Sequence, residues 1–174
     1  SQWYPGDTLQ AAIGQADNMF TPAQLANYIT TLLNKGKRSA LHLVKEVRSY
    51  KTGEVVYRSE KTPLSEHEIS DSTLSAVKDG MRRVTEDGTA KAVFADFPIA
   101  VGGKTGTAEV SGGSDTVLFV GFAPYENPQI AVAVVLEHGA TSRYAAQVAR
   151  DMFECYLGIT EVTDDTVPPY SLLK

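Results

Sequence analysis

Apolar residues recur at helical spacing in three segments of the chain. The first segment opens with a strong helix start, in which Thr21 can cap the helix, Pro22 suits its first turn and Gln24 completes a capping box. Gly36 predicts where this helix ends. The apolar positions of the segment repeat with a helical period: Leu25, Ile29, Leu32 and Leu33.

Two further helices are predicted nearer the end of the chain. One begins at Ser70-Asp71-Ser72 and ends near Asp87-Gly88, and the other covers Ser142–Leu157 and ends at Gly158. Cys155 lies in the last helix and is predicted to be a buried thiol. The predicted buried stripes are Leu74, Val77, Met81 and Val84 in the former, and Tyr144, Val148, Met152 and Tyr156, with Ala145 and Ala149 beside them, in the latter.

Runs of alternating or continuous apolar residues predict five strands. Residues 41–49 and 54–59 are expected to form a hairpin around Lys51-Thr52-Gly53. A three-stranded meander follows, with strands at residues 99–110, 116–123 and 129–137. The last two strands are apolar at nearly every position, which is typical of strands that are covered on both faces.

The order of these elements indicates the fold class. Short turns join the strands, which favours antiparallel pairing. Residues 5–7 predict a turn, residues 11–15 an irregular loop, and Pro63 another loop. The sequence therefore predicts an α+β fold, in which an antiparallel sheet is packed with helices.

Composition narrows the possible functions. The chain has 174 residues, 43% of them hydrophobic, and a formal net charge of −5, which argues weakly against a nucleic-acid partner. A single cysteine excludes an intramolecular disulfide. The start at Ser1 is interpreted as a cut inside a longer protein, and residues 160–174 are expected to form a loose tail.

The glycine-rich segment from Gly102 to Glu109 carries the candidate chemistry, and three interpretations compete. A nucleotide-binding loop would need a glycine where Pro98 stands, so that interpretation is rejected. A glycine-rich strand with a bulge, where another backbone comes close, would be purely structural. The third interpretation is the Lys-Thr-Gly element of the penicillin-recognising serine enzymes, here Lys104-Thr105-Gly106.

Several other blocks carry the same resemblance, in the same order. They are WYPGDTLQAAIGQ, TPAQLANYITTLLNKG, VKDGM, DGTA and GFAPYENPQIAVAVVLEHG. Together they resemble class B penicillin-binding proteins, and most of all the elongation-type enzyme of rod-shaped bacteria. The resemblance implies that residues 1–174 are the C-terminal part of a transpeptidase domain with the serine β-lactamase/D,D-transpeptidase-like fold.

The resemblance also implies an activity for the parent protein. It would cross-link peptidoglycan stem peptides ending in D-Ala-D-Ala through an acyl-serine intermediate, and β-lactam antibiotics would acylate the same serine. No metal or organic cofactor is implied. The parent would be anchored in the bacterial cytoplasmic membrane with this domain outside, and would work with other cell-wall synthesis proteins.

Four residues would form the site that the resemblance implies. The substrate peptide would lie as an added strand along the edge that bears Lys104, whose ammonium would supply positive potential and assist proton transfer. Gly106 would let the acyl group approach closely. The hydroxyls of Thr105 and Thr107 suit the terminal carboxylate, and the Thr107 N–H resembles an oxyanion-hole donor. The segment Gly88-Thr89-Ala90 is expected to position the approach to this strand.

The family's nucleophile is missing from the sequence. The family uses the serine of a Ser-x-x-Lys motif followed by Ser-x-Asn, and this chain contains no Ser-x-Asn. Its one Ser-x-x-Lys, Ser75 to Lys78, is interpreted as a coincidence because Ser75 lies off the predicted buried stripe. The chain alone is therefore expected to be inactive and to need the upstream half of its domain. Without that half, apolar surface would be exposed, so the chain is also expected to self-associate.

Two other functions stay open at this point. One is a non-catalytic module that binds a cell-wall peptide or a protein partner. The other is a β-lactamase or β-lactam sensor with the same Lys-Thr-Gly motif.

Overall fold

The computed structural model describes residues 3–15, 19–110 and 112–159. The prediction made for the tail at residues 160–174 lies outside the described residues. Within them the elements follow in the order α1 Pro5–Ala12, α2 Pro22–Leu33, β1 Lys37–Ser39, β2 Glu46–Arg48, β3 Val55–Arg58, β4 Pro63–Glu66, α3 Asp71–Glu86, α4 Lys91–Phe94, β5 Gly102–Ala108, β6 Thr116–Ala123, β7 Ile130–Leu136 and α5 Ser142–Leu157.

An antiparallel sheet in the order β5-β6-β7 forms the centre of the fold. One face packs against α4 and α5 through a buried cluster that includes Phe94, Phe119 and Phe153. The other face packs against α2 and α3 through Phe122 and Met81. The prediction of an α+β fold is confirmed, and so is the prediction that β6 and β7 are covered on both faces.

The last helix has the predicted bounds, but its predicted buried stripe is correct only at Ala145 and Ala149. The four bulky residues of the predicted stripe are exposed: Tyr144, Val148, Met152 and Tyr156. The buried face consists of Ala145, Ala146, Ala149 and Phe153. Three alanines let the helix axis lie close to the sheet, and one phenylalanine fills the remaining space. Cys155 is exposed, so the prediction of a buried thiol is also wrong.

The two earlier helices largely follow their sequence signals. Thr21 and Gln24 form the capping box of α2, with the Thr21 N–H donating to Gln24 Oε1 at 2.8 Å. Ser70 caps α3, whose bounds agree with the prediction. The predicted stripe of α3 needs one correction, because Val77 is 40% exposed while Thr85 is buried. Val77 faces a groove that the described residues leave open.

The remaining corrections concern short elements. Residues 5–12 form α1 instead of a turn and loop, because Pro5 takes the first helical position and the Tyr4 N–H donates to the Asp7 carboxylate at 2.8 Å. The predicted hairpin is confirmed at β2 and β3, although its strands are shorter than predicted. Pro63 begins β4, which pairs with β1, so the loop prediction there is wrong. Neither α4 nor this strand pair was predicted, since runs of three or four residues carry little periodicity.

Candidate active site on an edge strand

The segment from Lys104 to Thr107 lies on an edge strand. β5 pairs with β6 over its whole length, and no strand in the described ranges pairs with its other side. The pairing from Gly102 to Ala108 is continuous. The β-bulge predicted by the purely structural interpretation of this segment is therefore absent there. A free strand edge presents backbone N–H and C=O groups to which an extended peptide can bind.

Glycines let this strand lie against two aromatic rings of β6. A Cβ added at Gly103 would come within 2.3 Å of the Phe119 ring, and one at Gly102 within 2.5 Å of the Phe122 ring. A Cβ at Gly106 would lie 2.8 Å from Leu118 Cγ. The structural interpretation was therefore right about close approach, although side chains and not another backbone make most of it. Gly106 has a packing reason to lack a side chain, independent of any substrate.

Lys104 is exposed and projects from the face that packs against α2 and α3. Side chains alternate along a strand, and Lys104 pairs with Val120 of β6. Its ammonium donates to the Thr105 carbonyl oxygen at 2.6 Å. Beside it lies an apolar groove of about 480 Å³, which we call the lysine groove. Its walls include Tyr28, Ile29, Leu32, Val77, Met81 and Val120.

The two threonines of the motif project from the opposite face to Lys104. Thr107 is exposed at its position opposite Val117. Thr105 is only 7% exposed, and its hydroxyl lies 2.7 Å from the hydroxyl of Thr89. Thr89 stands in the turn between α3 and α4. The structure thus brings Gly88-Thr89-Ala90 against the strand through a hydroxyl pair that the sequence did not predict. The expected role of this segment in positioning the approach to the strand stays a prediction.

Two hydrogen-bonded side chains hold the surroundings of β5 in place. Thr85 is buried in α3 and donates from Oγ1 to the carbonyl of Val101 at 2.6 Å, just before the strand begins. Arg150 of α5 donates to the carbonyl of Val93 at 2.6 Å and pairs with the Asp96 carboxylate. The Arg150 guanidinium holds the pKa of Asp96 below its usual range. Sequence reasoning missed both groups because each contact joins residues far apart in the chain.

Ser75 is not assembled into a catalytic pair. It is exposed on α3, and no hydrogen bond joins it to Lys78 in the described part of the chain. The Lys78 ammonium instead lies 4.9 Å from the ring centroid of Tyr125. Burial, with the hydrogen bond from the Tyr125 hydroxyl to Asp79 at 2.6 Å, raises the pKa of Tyr125 to about 12. This arrangement agrees with a coincidental Ser-x-x-Lys.

The described residues contain neither a membrane-spanning helix nor a metal-binding cluster. None of the helices in ranges 3–15, 19–110 and 112–159 combines the length and the hydropathy needed to cross a bilayer. Within the same ranges, His, Cys, Asp and Glu side chains form no group of three or more that could hold a metal ion.

Comparison with known proteins identifies the family. Residues 1–154 match the family described as penicillin binding protein transpeptidase domain. The peptidoglycan D,D-transpeptidase MrdA of Haemophilus influenzae is 34% identical over 176 residues, covering 89% of this chain and 26% of that protein. The chain spans about a quarter of the length of the curated relatives it matches.

Solved structures show the same relationship in three dimensions. Penicillin-binding protein 2B of Streptococcus pneumoniae strain R6 aligns with a TM-score of 0.78 at 31% identity, covering 93% of this chain and 28% of that one. The imipenem acyl-enzyme of penicillin-binding protein A from M. tuberculosis aligns with a TM-score of 0.73 at 26% identity, covering 85% and 33%. Sequence profile, curated relatives and fold agree, and the chain belongs to the penicillin-binding protein transpeptidase family.

Proposed function

We propose that this chain is the substrate-strand portion of a peptidoglycan D,D-transpeptidase. The parent protein joins stem peptides through an acyl-serine intermediate, and β-lactams acylate the same serine. One observation carries the proposal: Lys104 to Thr107 lie on a strand edge that is free in the described ranges, beside an open groove. The relatives named as D,D-transpeptidases and as an imipenem acyl-enzyme support it.

The D-Ala-D-Ala end of a stem peptide binds along β5 as an additional strand. The Thr107 N–H donates to the oxygen that becomes negative when serine attacks, and the hydroxyls of Thr105 and Thr107 receive the terminal carboxylate. The Lys104 ammonium contributes positive potential from the other face of the strand. Its position beside an apolar groove supports this role, since an occupant that fills the groove would exclude water and strengthen the field of the charge.

The lysine groove receives the upstream half of the transpeptidase domain. Apolar walls from α2, α3 and β6 leave Val77 and Tyr28 exposed at its rim, and surfaces of this kind are normally covered. An apolar segment of that upstream half fills the groove, and the polar residues next to this segment then lie beside Lys104. This route supplies the nucleophile that the chain lacks.

The cellular setting follows from the same proposal. The parent is attached to the cytoplasmic membrane of a bacterium, with this domain on the extracytoplasmic face where peptidoglycan is assembled. Other cell-wall synthesis proteins are its partners. We propose no cofactor and no nucleic-acid partner for the reaction.

The test is covalent labelling by a fluorescent penicillin, read by intact mass and peptide mapping. The full-length protein that contains this chain should take up one penicillin on a serine outside residues 1–174, while the isolated chain should stay unlabelled. In the full-length protein, Lys104→Ala should lower the acylation rate by about 10²-fold. The matched control is Lys51→Ala, whose exposed side chain lies in the turn of the separate β2–β3 hairpin and should leave the rate unchanged.

Two results would overturn the proposal. One is an adduct on Ser75, which would place the nucleophile within this chain. The other is a full-length protein that no penicillin labels under conditions in which a known transpeptidase is labelled.

A further inference from the structure

The hydroxyl pair between Thr89 and Thr105 connects the motif to a turn that is itself held firmly. The Gly88 N–H donates to the Arg83 carbonyl at 2.8 Å, and the Ala90 N–H donates to the Val84 carbonyl at 2.9 Å. A Cβ at Gly88 would lie 2.9 Å from Val84 Cα, so the turn packs directly on the end of α3. Ala90 is fully buried. Thr89 therefore reaches the strand from a fixed backbone.

Each threonine hydroxyl has one proton to donate and two lone pairs to accept with. Between two such groups 2.7 Å apart, either oxygen can be the donor. When Thr89 donates, the Thr105 proton is free for another acceptor. When Thr105 donates, its proton is committed to Thr89 and cannot reach a substrate. A carboxylate only accepts hydrogen bonds, so its binding selects the arrangement in which Thr89 donates.

We propose that Thr89 is a positioning residue for substrate binding. By donating to Thr105 it turns the single Thr105 proton toward the terminal carboxylate of the peptide or of a β-lactam. The inference rests on the proposed function, since it assumes that Thr105 receives that carboxylate. Thr89 itself touches neither the acyl carbon nor the nucleophile in this arrangement. The effect of replacing Thr89 on the acylation rate should therefore depend on the carboxylate of the substrate or β-lactam and not on its acyl group.

A comparison of a penicillin with its methyl ester tests this dependence. The full-length protein and its Thr89→Val and Thr89→Ser variants would be acylated with each compound, and the second-order rate constants measured. Valine keeps the size and branching of threonine but cannot donate, whereas serine keeps the hydroxyl. We expect Thr89→Val to slow acylation by the free acid about tenfold, the size of one hydrogen bond, and to slow acylation by the ester less, because a neutral ester carbonyl accepts a weaker hydrogen bond than a carboxylate. Thr89→Ser should restore most of the rate for the acid.

The outcomes separate the inference from the proposed function. A Thr89→Val protein that loses the same factor with acid and ester would show a purely structural role, and one that reacts like wild type with both would show no role. Either result overturns the inference while leaving the proposed function intact. A wild-type protein that the acid does not acylate would overturn the proposed function, and the inference with it. Thermal unfolding of each variant checks that the fold is retained.

Discussion

At the scale of single residues, packing against the neighbouring strand β6 explains the glycines of the motif strand β5. Gly102 and Gly103 lie under the rings of Phe122 and Phe119, which are both fully buried. The rings fill space that side chains on β5 would otherwise occupy. The same contacts hold the backbone of β5 against β6, so that Lys104 and Thr107 project from a rigid strand.

Replacing Gly103 with alanine should therefore destabilise the chain. The added methyl group would lie 2.3 Å from the Phe119 ring, and that ring also packs against Phe94 at a centroid distance of 5.7 Å. Overpacking of this kind costs about 1–3 kcal/mol of unfolding free energy. Chemical denaturation of wild type and Gly103→Ala would measure the difference.

Gly80 offers the matched control for that substitution. It lies within α3, and an added Cβ would meet nothing within 4 Å. Alanine is the better helix former there, so Gly80→Ala should stabilise the chain by about 0.5–1 kcal/mol. Equal effects of the two substitutions would contradict the assigned packing of Gly103 on Phe119.

At the scale of elements, α5 shows that the period of apolar residues predicts a helix but does not by itself predict which of its faces is buried. Both stripes of this helix repeat every three or four residues, and the one with the larger side chains is exposed. A helix packed on a sheet needs a small face as much as an apolar one, because alanines allow the closest approach. Periodicity predicted the helix and its bounds, but side-chain size decided its orientation.

A substitution on each face of α5 should show this difference in free energy. Ala149→Leu places three further carbons where the side chain is fully buried, and should cost about 1–3 kcal/mol through overpacking. Val148→Ala removes two carbons from a side chain that is 41% exposed, and should change stability by about 0.5 kcal/mol or less. Urea midpoints of the two variants, compared with wild type, give the measurement. A larger loss for Val148→Ala would mean that the helix is turned the other way.

The whole molecule shows what a single sequence can and cannot specify. β6 and β7 were predictable because strands covered on both faces are apolar throughout. The strand position of Lys104 to Thr107 followed from its glycines and from the order of the neighbouring blocks. The pairing of β1 with β4 and the contact between Thr89 and Thr105 were not predictable. Both join segments at least 16 residues apart, and neither leaves a local pattern.

The lysine groove and the exposed stripe of α5 give the chain two apolar surfaces that could associate with a second copy. The groove is concave and bordered by exposed Tyr28 and Val77, whereas the α5 stripe is a convex ridge. A concave apolar groove excludes more water per contact than a convex ridge does. We therefore expect the groove, and not the α5 stripe, to form the main interface between copies. We predict that the isolated chain forms dimers or larger species at high concentration, measurable by sedimentation velocity.

Charged substitutions on each surface can tell the two apart. Tyr28→Lys with Val77→Lys should shift the isolated chain toward monomer, because a dimer would then bury lysines in the groove at a cost of several kcal/mol each. Tyr144→Lys with Met152→Lys is the matched control on α5 and should leave the association unchanged. A wild-type chain that sediments as a monomer throughout would contradict self-association. Dissociation caused only by the α5 pair would instead place the interface on that helix.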